Sequence, residues 1–388
     1  MAKGGDEAAQ WLQGKTPALE AALQPLVEVN SFTENAEGGR EVGRLLREQW
    51  KLPGLLAEVV KSARYADHLV FRSVGNARLK PIALVGHLDT VFPPGKFEGY
   101  RVDGALRRGP GTLDMKGGLV VIGAALRALS ETGGLSRLPP LRIVVVSDEE
   151  VGSPEGQGVI RSACAGSGAA LVLESGRAED AIITRRKGTG GMEAVAHGKA
   201  AHAGNHHAEG ANALWAVARF VDLAQQLTDY PRGITVNVGK VLGGQGKNTV
   251  PDYAEAHVDL RFCTHADGEA LVEHLRAAAD RAASSVPGTS LELSGGISRE
   301  PLERSAASAA LLEAYAACAR ASGLGGGEAA LIGGGSDAST TSASGIPSID
   351  GLGPRGKGFH TVEEHIEVTT LVPKAQALAR FLAARADG

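Results

Sequence analysis

Ile82-Ala83-Leu84-Val85-Gly86-His87-Leu88-Asp89 opens with four apolar residues and closes on a histidine and an aspartate. A short unbroken apolar run suits a strand buried on both faces, the kind from which parallel sheets are built. The pattern recurs twice. Leu141-Arg142-Ile143-Val144-Val145-Val146 runs into Ser147-Asp148-Glu149-Glu150, and Ala169 to Leu173 runs into Glu174. Ile346 to Ile349 reads as a further strand, Met115 to Leu129 as a largely buried helix, and Thr16 to Val29 and Gly39 to Trp50 as earlier helices. Strands alternating with helices imply an α/β sheet with helices on its faces.

From Ile182 to Gly296 the pattern changes. Met192 to Ala196, Ile234 to Leu242, Tyr253 to Phe262 and Ser290 to Leu293 read as strands, with helices at Ala211 to Leu227 and Asp267 to Ser285. The order β-α-β-β-α-β is that of a ferredoxin-like α+β unit. The α/β pattern resumes after Pro301, so this unit reads as an insertion in the first domain.

A chain of 388 residues is too long for one ordinary core, which agrees with two domains. The formal net charge of -4 gives no reason to expect nucleic acid or an acidic membrane as partner. No apolar run approaches the roughly 18–20 residues of a spanning helix. The polar start, MAKGGDEAAQWLQGK, lacks the apolar stretch of a secretion signal, so a cytoplasmic location is expected. Cys164, Cys263 and Cys318 lie far apart and fit neither a CxxC metal site nor a disulfide framework. They read as small buried residues of a reduced protein, and any metal must be held by histidines and carboxylates.

Three polar clusters, His87 with Asp89, Asp148 to Glu150, and Glu174, each follow an apolar strand. In open α/β sheets ligands gather beyond the carboxyl ends of the strands, so these clusters are expected to converge. Asp114 lies in a Gly-rich loop before a helix, and His360 in a late loop. Taken singly, each residue has an ordinary reading: an aspartate before a helix is usually a cap, and paired glutamates usually mark a surface. A carboxylate pair at the end of a core strand must instead be hydrogen-bonded, protonated or metal-bound. Imidazole and carboxylate suit Zn²⁺ at roughly 2.0–2.2 Å. Two cations about 3.5–4 Å apart can share a hydroxide and clamp a tetrahedral transition state. A further carboxylate would then carry the proton from water to the leaving nitrogen.

The stretches GHLDTV (86–91), GPGTLDMKGG (109–118), SDEEVGS (147–153), HGKAAHAG (197–204), GGGSDAS (333–339) and GFHTVEEHIEV (358–368) resemble the M20 metallopeptidase family, in the family's order. Within it the chain looks most like the glutamate carboxypeptidase branch, with acetylornithine deacetylase and succinyl-diaminopimelate desuccinylase as close relatives. The resemblance implies a zinc-exopeptidase-like catalytic domain, residues 1–181 and 297–388, whose mixed, mostly parallel sheet is flanked by helices. It makes residues 182–296 a lid and dimerisation domain, and hence the protein a homodimer.

For the site, the resemblance implies two Zn²⁺ per subunit, for which Co²⁺ or Mn²⁺ can substitute. His87, Asp114 and Glu174 would hold one ion and Asp114, Glu150 and His360 the other, with Asp114 bridging. Glu149 matches the general base and Asp89 the carboxylate that orients His87. A cis peptide is implied after Asp114. His202 matches a histidine that reaches the partner subunit's site to stabilise an oxyanion. Asn248 and Arg261 match substrate-binding positions, Arg261 being suited to a bidentate grip on a carboxylate. The Gly333–Gly335 run offers backbone close to a ligand, Gly335 included, because no side chain blocks approach. The sequence departs from the family after His202, where His207-Ala208 replaces a Pro-Glu pair. The implied reaction is hydrolysis of an amide bond beside a free carboxylate in a small peptide or N-acyl amino acid, releasing a C-terminal amino acid. N-acyl amino acid deacylation is the alternative, and a catalytically inactive binding homologue a third reading.

Overall fold

Every residue of Ile82–His87 is buried, and this strand lies inside a six-stranded sheet. The computed structural model describes residues 3–386, which divide into two units. The first comprises the chain up to Arg185, Arg304–Leu331, and the chain from Ser336; the second comprises Arg186–Glu303 and Ile332–Gly335. The expected breaks after residues 181 and 296 lie a few residues short of these. The Gly333–Gly335 loop, expected with the catalytic part, falls in the second unit.

The first unit opens with α1 (Lys3–Leu12), α2 (Thr16–Glu28), α3 (Ala36–Gln49), β1 (Leu55–Val60), β2 (His68–Ser73) and β3 (Ile82–His87). A hairpin of β4 (Arg101–Asp103) and β5 (Leu106–Arg108) leads to α4 (Gly117–Thr132), β6 (Leu141–Val146), α5 (Gly156–Cys164) and β7 (Ala169–Val172). The second unit holds β8 (Gly188–His197), β9 (Ala201–His202), α6 (Ala213–Gln225), β10 (Thr235–Gly243), β11 (Thr249–Val250), β12 (Tyr253–Phe262), α7 (His265–Ser284) and β13 (Ser290–Arg299). The chain then adds α8 (Ala306–Ala321), α9 (Ala338–Ala343), β14 (Ser348–Ile349), β15 (Gly356–Lys357), β16 (His365–Glu367) and α10 (Leu371–Ala384) to the first unit.

The large sheet runs β1-β2-β6-β3-β7-β14. β6, β3, β7 and β14 pair in parallel, whereas β1 with β2 and β2 with β6 are antiparallel. Because side chains alternate along a strand, Leu84, Ile143, Val145 and Leu171 join a cluster with α1, α2, α4, α8 and α10. Val85, Val144, Val146 and Val172 are buried outside that cluster; α5 packs on β6, and α9 on β7 and β14. This is the α/β sheet expected from the apolar runs, and the mixed, mostly parallel one that the resemblance implies. Two elements differ from expectation. The helix expected from Met115 starts at Gly117, because Asp114 and Met115 are non-helical and joined by a cis peptide bond. The strand expected from Ile346 is reduced to Ser348–Ile349; Pro347 offers its carbonyl to Ala170 but has no N–H for a ladder.

Glycine lets α4 approach the end of β7. A Cβ on Gly118 would lie 2.0 Å from the Leu173 carbonyl oxygen. Gly118→Ala is therefore expected to destabilise the protein by about 1–3 kcal/mol through overpacking, measured as a lower thermal midpoint.

In the second unit the antiparallel order β10-β12-β8-β13 is that of a ferredoxin-like fold. Its inner face, Met192, Ala194, Ala196, Ala254, Ala256, Val258 and Leu260, packs with residues of α6 and α7 such as Phe220 and Leu275. The alternate β12 residues between them therefore point away from those helices, among them Asp259 and Arg261.

Cys164 and Cys318 are buried, Cys263 is half-buried, and all three are free thiols. Burial pushes the Cys164 thiol up to about 12. Among the described residues no helix is long and apolar enough to cross a membrane.

Candidate metal centre

β3 delivers His87, and its register beside β6 and β7 brings the ends of all three strands together. The His87 Nδ1 lies 3.1 Å from the Asp89 backbone oxygen and 3.3 Å from Asp89 Oδ1. Both are acceptors, so in the neutral ring the proton belongs on Nδ1 and the Nε2 lone pair is free to face a cation. Nε2 faces Asp114 Oδ1 at 3.2 Å and Glu174 Oε1 at 3.6 Å. The other oxygen of Asp114 lies 3.4 Å from His360 Nε2, which in turn is 3.0 Å from Glu150 Oε2. Asp114 thus stands between two imidazoles, one oxygen toward each.

Asp89 does more than orient His87. Its oxygens accept the backbone N–H groups of Glu149 and Glu150, each at 3.2 Å, and the Thr33 hydroxyl at 2.8 Å. It therefore sets the turn in which consecutive glutamates diverge. Ligand atoms of His87, Glu149 and Glu174 gather within 4.8 Å of one another, as do those of His87, Asp114 and Glu150. Asp148, the third acid of the run, turns away and accepts from Glu155 and Gly156 at the start of α5.

The electrostatics call for cations. Burial, with the Asp114 charge nearby, pushes Glu150 up to about 8. Burial and Asp114 likewise hold Glu174 well above the carboxylate range. Burial alone would also raise Asp114, but hydrogen bonds from His360 and His87 hold it low. Burial by itself would lower His87, yet Glu174, Asp114 and Asp89 raise it well above its ordinary value. His360 is raised to about 10 by Asp114 and Glu150. Asp114, Glu149, Glu150 and Glu174 therefore cannot all ionise beside two imidazolium rings, and without cations Glu150 and Glu174 keep their protons. Two divalent cations beside neutral imidazoles would neutralise all four carboxylates. The donor set fits such a pair.

His202, Asn248, Arg261 and Gly335 all belong to the second unit. His202 is exposed, and its Nδ1 accepts the N–H groups of Gly204 and Asn205 at 3.2 and 3.1 Å. That assigns the proton to Nε2, leaving the ring an outward donor. The divergent His207–Glu209 segment forms a short 3₁₀ turn, in which the ring of His206 bonds Glu209 at 2.9 Å. The Asn248 carbonyl accepts from Ala203, joining the loops around β9 and β11. The Arg261 guanidinium makes a bidentate pair with Asp259 at 2.8 and 2.9 Å. At Gly335 a Cβ would lie 2.6 Å from Arg299 Cδ, so any larger residue would require the Arg299 side chain to shift.

A sequence profile of the peptidase family M20/M25/M40 matches residues 83–384. The chain belongs to this family. It is similar to carboxypeptidase G2 of Pseudomonas sp. (strain RS-16), with 27% identity over 94% of this chain and 89% of that one. Its fold is that of aminopeptidase PepT from Bacillus cereus, at TM-score 0.81 and 21% identity over 96% of this chain and 99% of that one. The YXEP protein of Bacillus subtilis, a dinuclear metal-binding peptidase of family M20, superposes at TM-score 0.71 with 17% identity, covering 96% and 98% of the two chains.

Three residues of this M20 hydrolase escaped the sequence reading. Lys116 is buried with its amine on the Val29 carbonyl at 3.1 Å, and burial lowers it to about 7 despite Glu364 and Asp89 nearby. Asp259 occupies the fork of Arg261. Glu364 is buried beneath the Asp114 loop, where desolvation raises it to about 7. Glu364 sits inside the quoted GFHTVEEHIEV stretch, but nothing local separates it from exposed Glu363.

Proposed function

We propose that this M20 hydrolase uses two zinc ions to cleave an amide bond beside a free carboxylate, releasing a C-terminal amino acid as a glutamate carboxypeptidase does. The observation that carries this reading is Asp114, whose two oxygens face His87 and His360 separately. In it His87, Asp114 and Glu174 would hold one cation and Asp114, Glu150 and His360 the other. Such a pair supplies Lewis-acid chemistry, acidifying water and polarising a carbonyl.

The chain's own residues do the rest. Glu149 takes a proton from the attacking water and hands it to the departing amide nitrogen. Asp89 holds the His87 tautomer and the Glu149–Glu150 turn at once. His202, contributed by the partner of a homodimer, offers its Nε2–H to the developing oxyanion. In the same reading the second unit serves as the lid and joins the dimer, and the enzyme works in the cytoplasm. Asn248 and the Gly335 backbone contact the substrate.

Arg261 grips the substrate carboxylate in place of Asp259. The exchange is cheap because the Asp259 pair is only partly buried, and such pairs contribute about 0–1 kcal/mol. Arg261→Ala is expected to raise KM about 10- to 100-fold for substrates with a free terminal carboxylate while leaving kcat within a few-fold. Steady-state kinetics on the acid and on its carboxamide would check this, since the carboxamide should respond far less.

The overall reading is tested by a panel of glutamate-terminated dipeptides and N-acyl glutamates against acetylornithine and succinyl-diaminopimelate, with Zn²⁺ or Co²⁺ supplied. A higher kcat/KM on the glutamate-terminated compounds is the expected result. Preference for either of the other two would overturn the carboxypeptidase assignment.

A further inference from the structure

The loop that carries Asp114 and the hairpin that carries His360 come from one small sheet. Its order is β15-β16-β5-β4, and β16 pairs antiparallel with β5, His365 opposite Arg108. Chain leaving β5 therefore runs beside chain entering β16. The Gly109 N–H reaches the Glu364 carbonyl at 3.3 Å, extending that pairing by one bond.

Beyond this point the side chain of Glu364 takes over. Its Oε1 accepts the N–H groups of Leu113 and Asp114 at 2.9 and 3.0 Å, and its Oε2 accepts that of Gly111 at 3.1 Å. Glu364 is 1% exposed. A carboxylate is buried at this cost only where fixed donors replace its water. Here three backbone donors converge on it from one four-residue loop. The nearby Lys116 amine bonds the Val29 carbonyl, which leaves these donors as the groups that hold Glu364 directly.

The consequence falls on Asp114. Its N–H is pinned, and so is that of the preceding residue, which fixes the direction in which its side chain leaves the loop. Four residues before Glu364 stands His360, in the left-handed region at φ 62°. Few non-glycine residues adopt this conformation unless the surroundings impose it. One side chain thus ties the carboxylate between the imidazoles to the hairpin bearing the second imidazole.

We propose that Glu364 is a positioning residue for the metal centre: by clamping the Gly111–Asp114 backbone to the His360 hairpin, it holds Asp114 where each oxygen can serve a different cation. The clamp touches neither cation nor substrate. The inference rests on the two-cation reading above.

Three variants separate reach from charge. Glu364→Gln keeps the reach and one acceptor oxygen, enough for Leu113 and Asp114. Glu364→Asp keeps the charge but falls a methylene short of all three donors, and Glu364→Ala removes the clamp. Zn²⁺ stoichiometry and affinity are measured against a chromophoric chelator, together with the electronic spectrum of the Co²⁺ form, kcat and KM. The expected order of affinity is wild type, then Gln, then Asp and Ala. Loss of supporting groups of this kind typically weakens metal binding by about 10- to 100-fold, here at both positions. The Co²⁺ spectrum should change, and kcat should fall with KM nearly constant.

Leu312→Ala, a core truncation in α8, serves as the control for lost stability and should leave Zn²⁺ affinity unchanged. Wild-type affinity and Co²⁺ spectrum in Glu364→Asp would overturn the inference, as would Asp binding Zn²⁺ at least as tightly as Gln. These comparisons stand even if Glu364→Ala fails to fold. Absence of two-cation binding in the wild type would instead overturn the reading on which the inference rests.

Discussion

Glu149→Ala is expected to bind both cations and lose between about a hundredfold and ten-thousandfold in kcat. The stoichiometry matters as much as the rate. Glu149 lies in the same tight group as His87 and Glu174, so proximity by itself suits a ligand as well as a base. A base carries a proton between water and the amide nitrogen, and its removal slows that transfer without emptying the site. A ligand's removal lowers cation affinity first. Two Zn²⁺ per chain in the variant, with KM near that of the wild type, would support the base. Loss of one ion would reassign Glu149, and retained near-normal turnover would end its role in the chemistry. Glu149→Gln sharpens the comparison, because it keeps the shape and one oxygen but cannot cycle a proton.

Cation removal is expected to have the second large effect. Chelation should abolish turnover, and restored Zn²⁺ or Co²⁺ should recover it. Asp114→Ala should resemble the chelated protein, because its two oxygens serve both positions in the proposed arrangement. The stability of the chelated protein should also depend on pH in a defined direction. Burial raises Glu150 from 4.5 to about 8, so its contribution is complete below the lower value and is lost as pH rises through the upper one. His360, raised from 6.5 to about 10 by Asp114 and Glu150, contributes below the lower value and loses that contribution toward the upper one. The two act in the same direction. The thermal midpoint of the chelated protein should therefore fall as pH rises from about 5 to about 9. The loaded protein should fall less, because bound cations replace the protons. Parallel melting curves with and without chelator would test this, and equal slopes would sink it.

The apolar runs at Ile82–Val85, Leu141–Val146 and Ala169–Leu173 were sufficient to place an α/β sheet of strands buried on both faces. A strand buried on both faces needs apolar side chains at successive positions, which leaves a readable mark in the sequence. The same runs placed His87, Glu149, Glu150 and Glu174 at strand ends, where an open sheet gathers its ligands. The β-α-β-β-α-β order of the second unit was legible because its strands alternate inward alanine, valine and leucine with outward polar residues. Motif resemblance then gave ligand roles to Asp114 and His360, which sit in loops without periodicity.

Tertiary structure decided what has no local signature. Asp114 is placed between two histidines by a small sheet whose strands β5 and β16 lie more than two hundred residues apart in the chain. Glu363 and Glu364 are adjacent and chemically alike, yet one is exposed beside Arg108 and the other is buried under the Asp114 loop. Alternation along the backbone makes neighbours point apart, but only the packed neighbour determines which direction is inward. Arg261 could be read as a carboxylate fork, whereas its occupation by Asp259 depends on side-chain geometry. Hydrophobic periodicity records burial within one element. Pairings between distant loops are recorded only in the fold that brings them together.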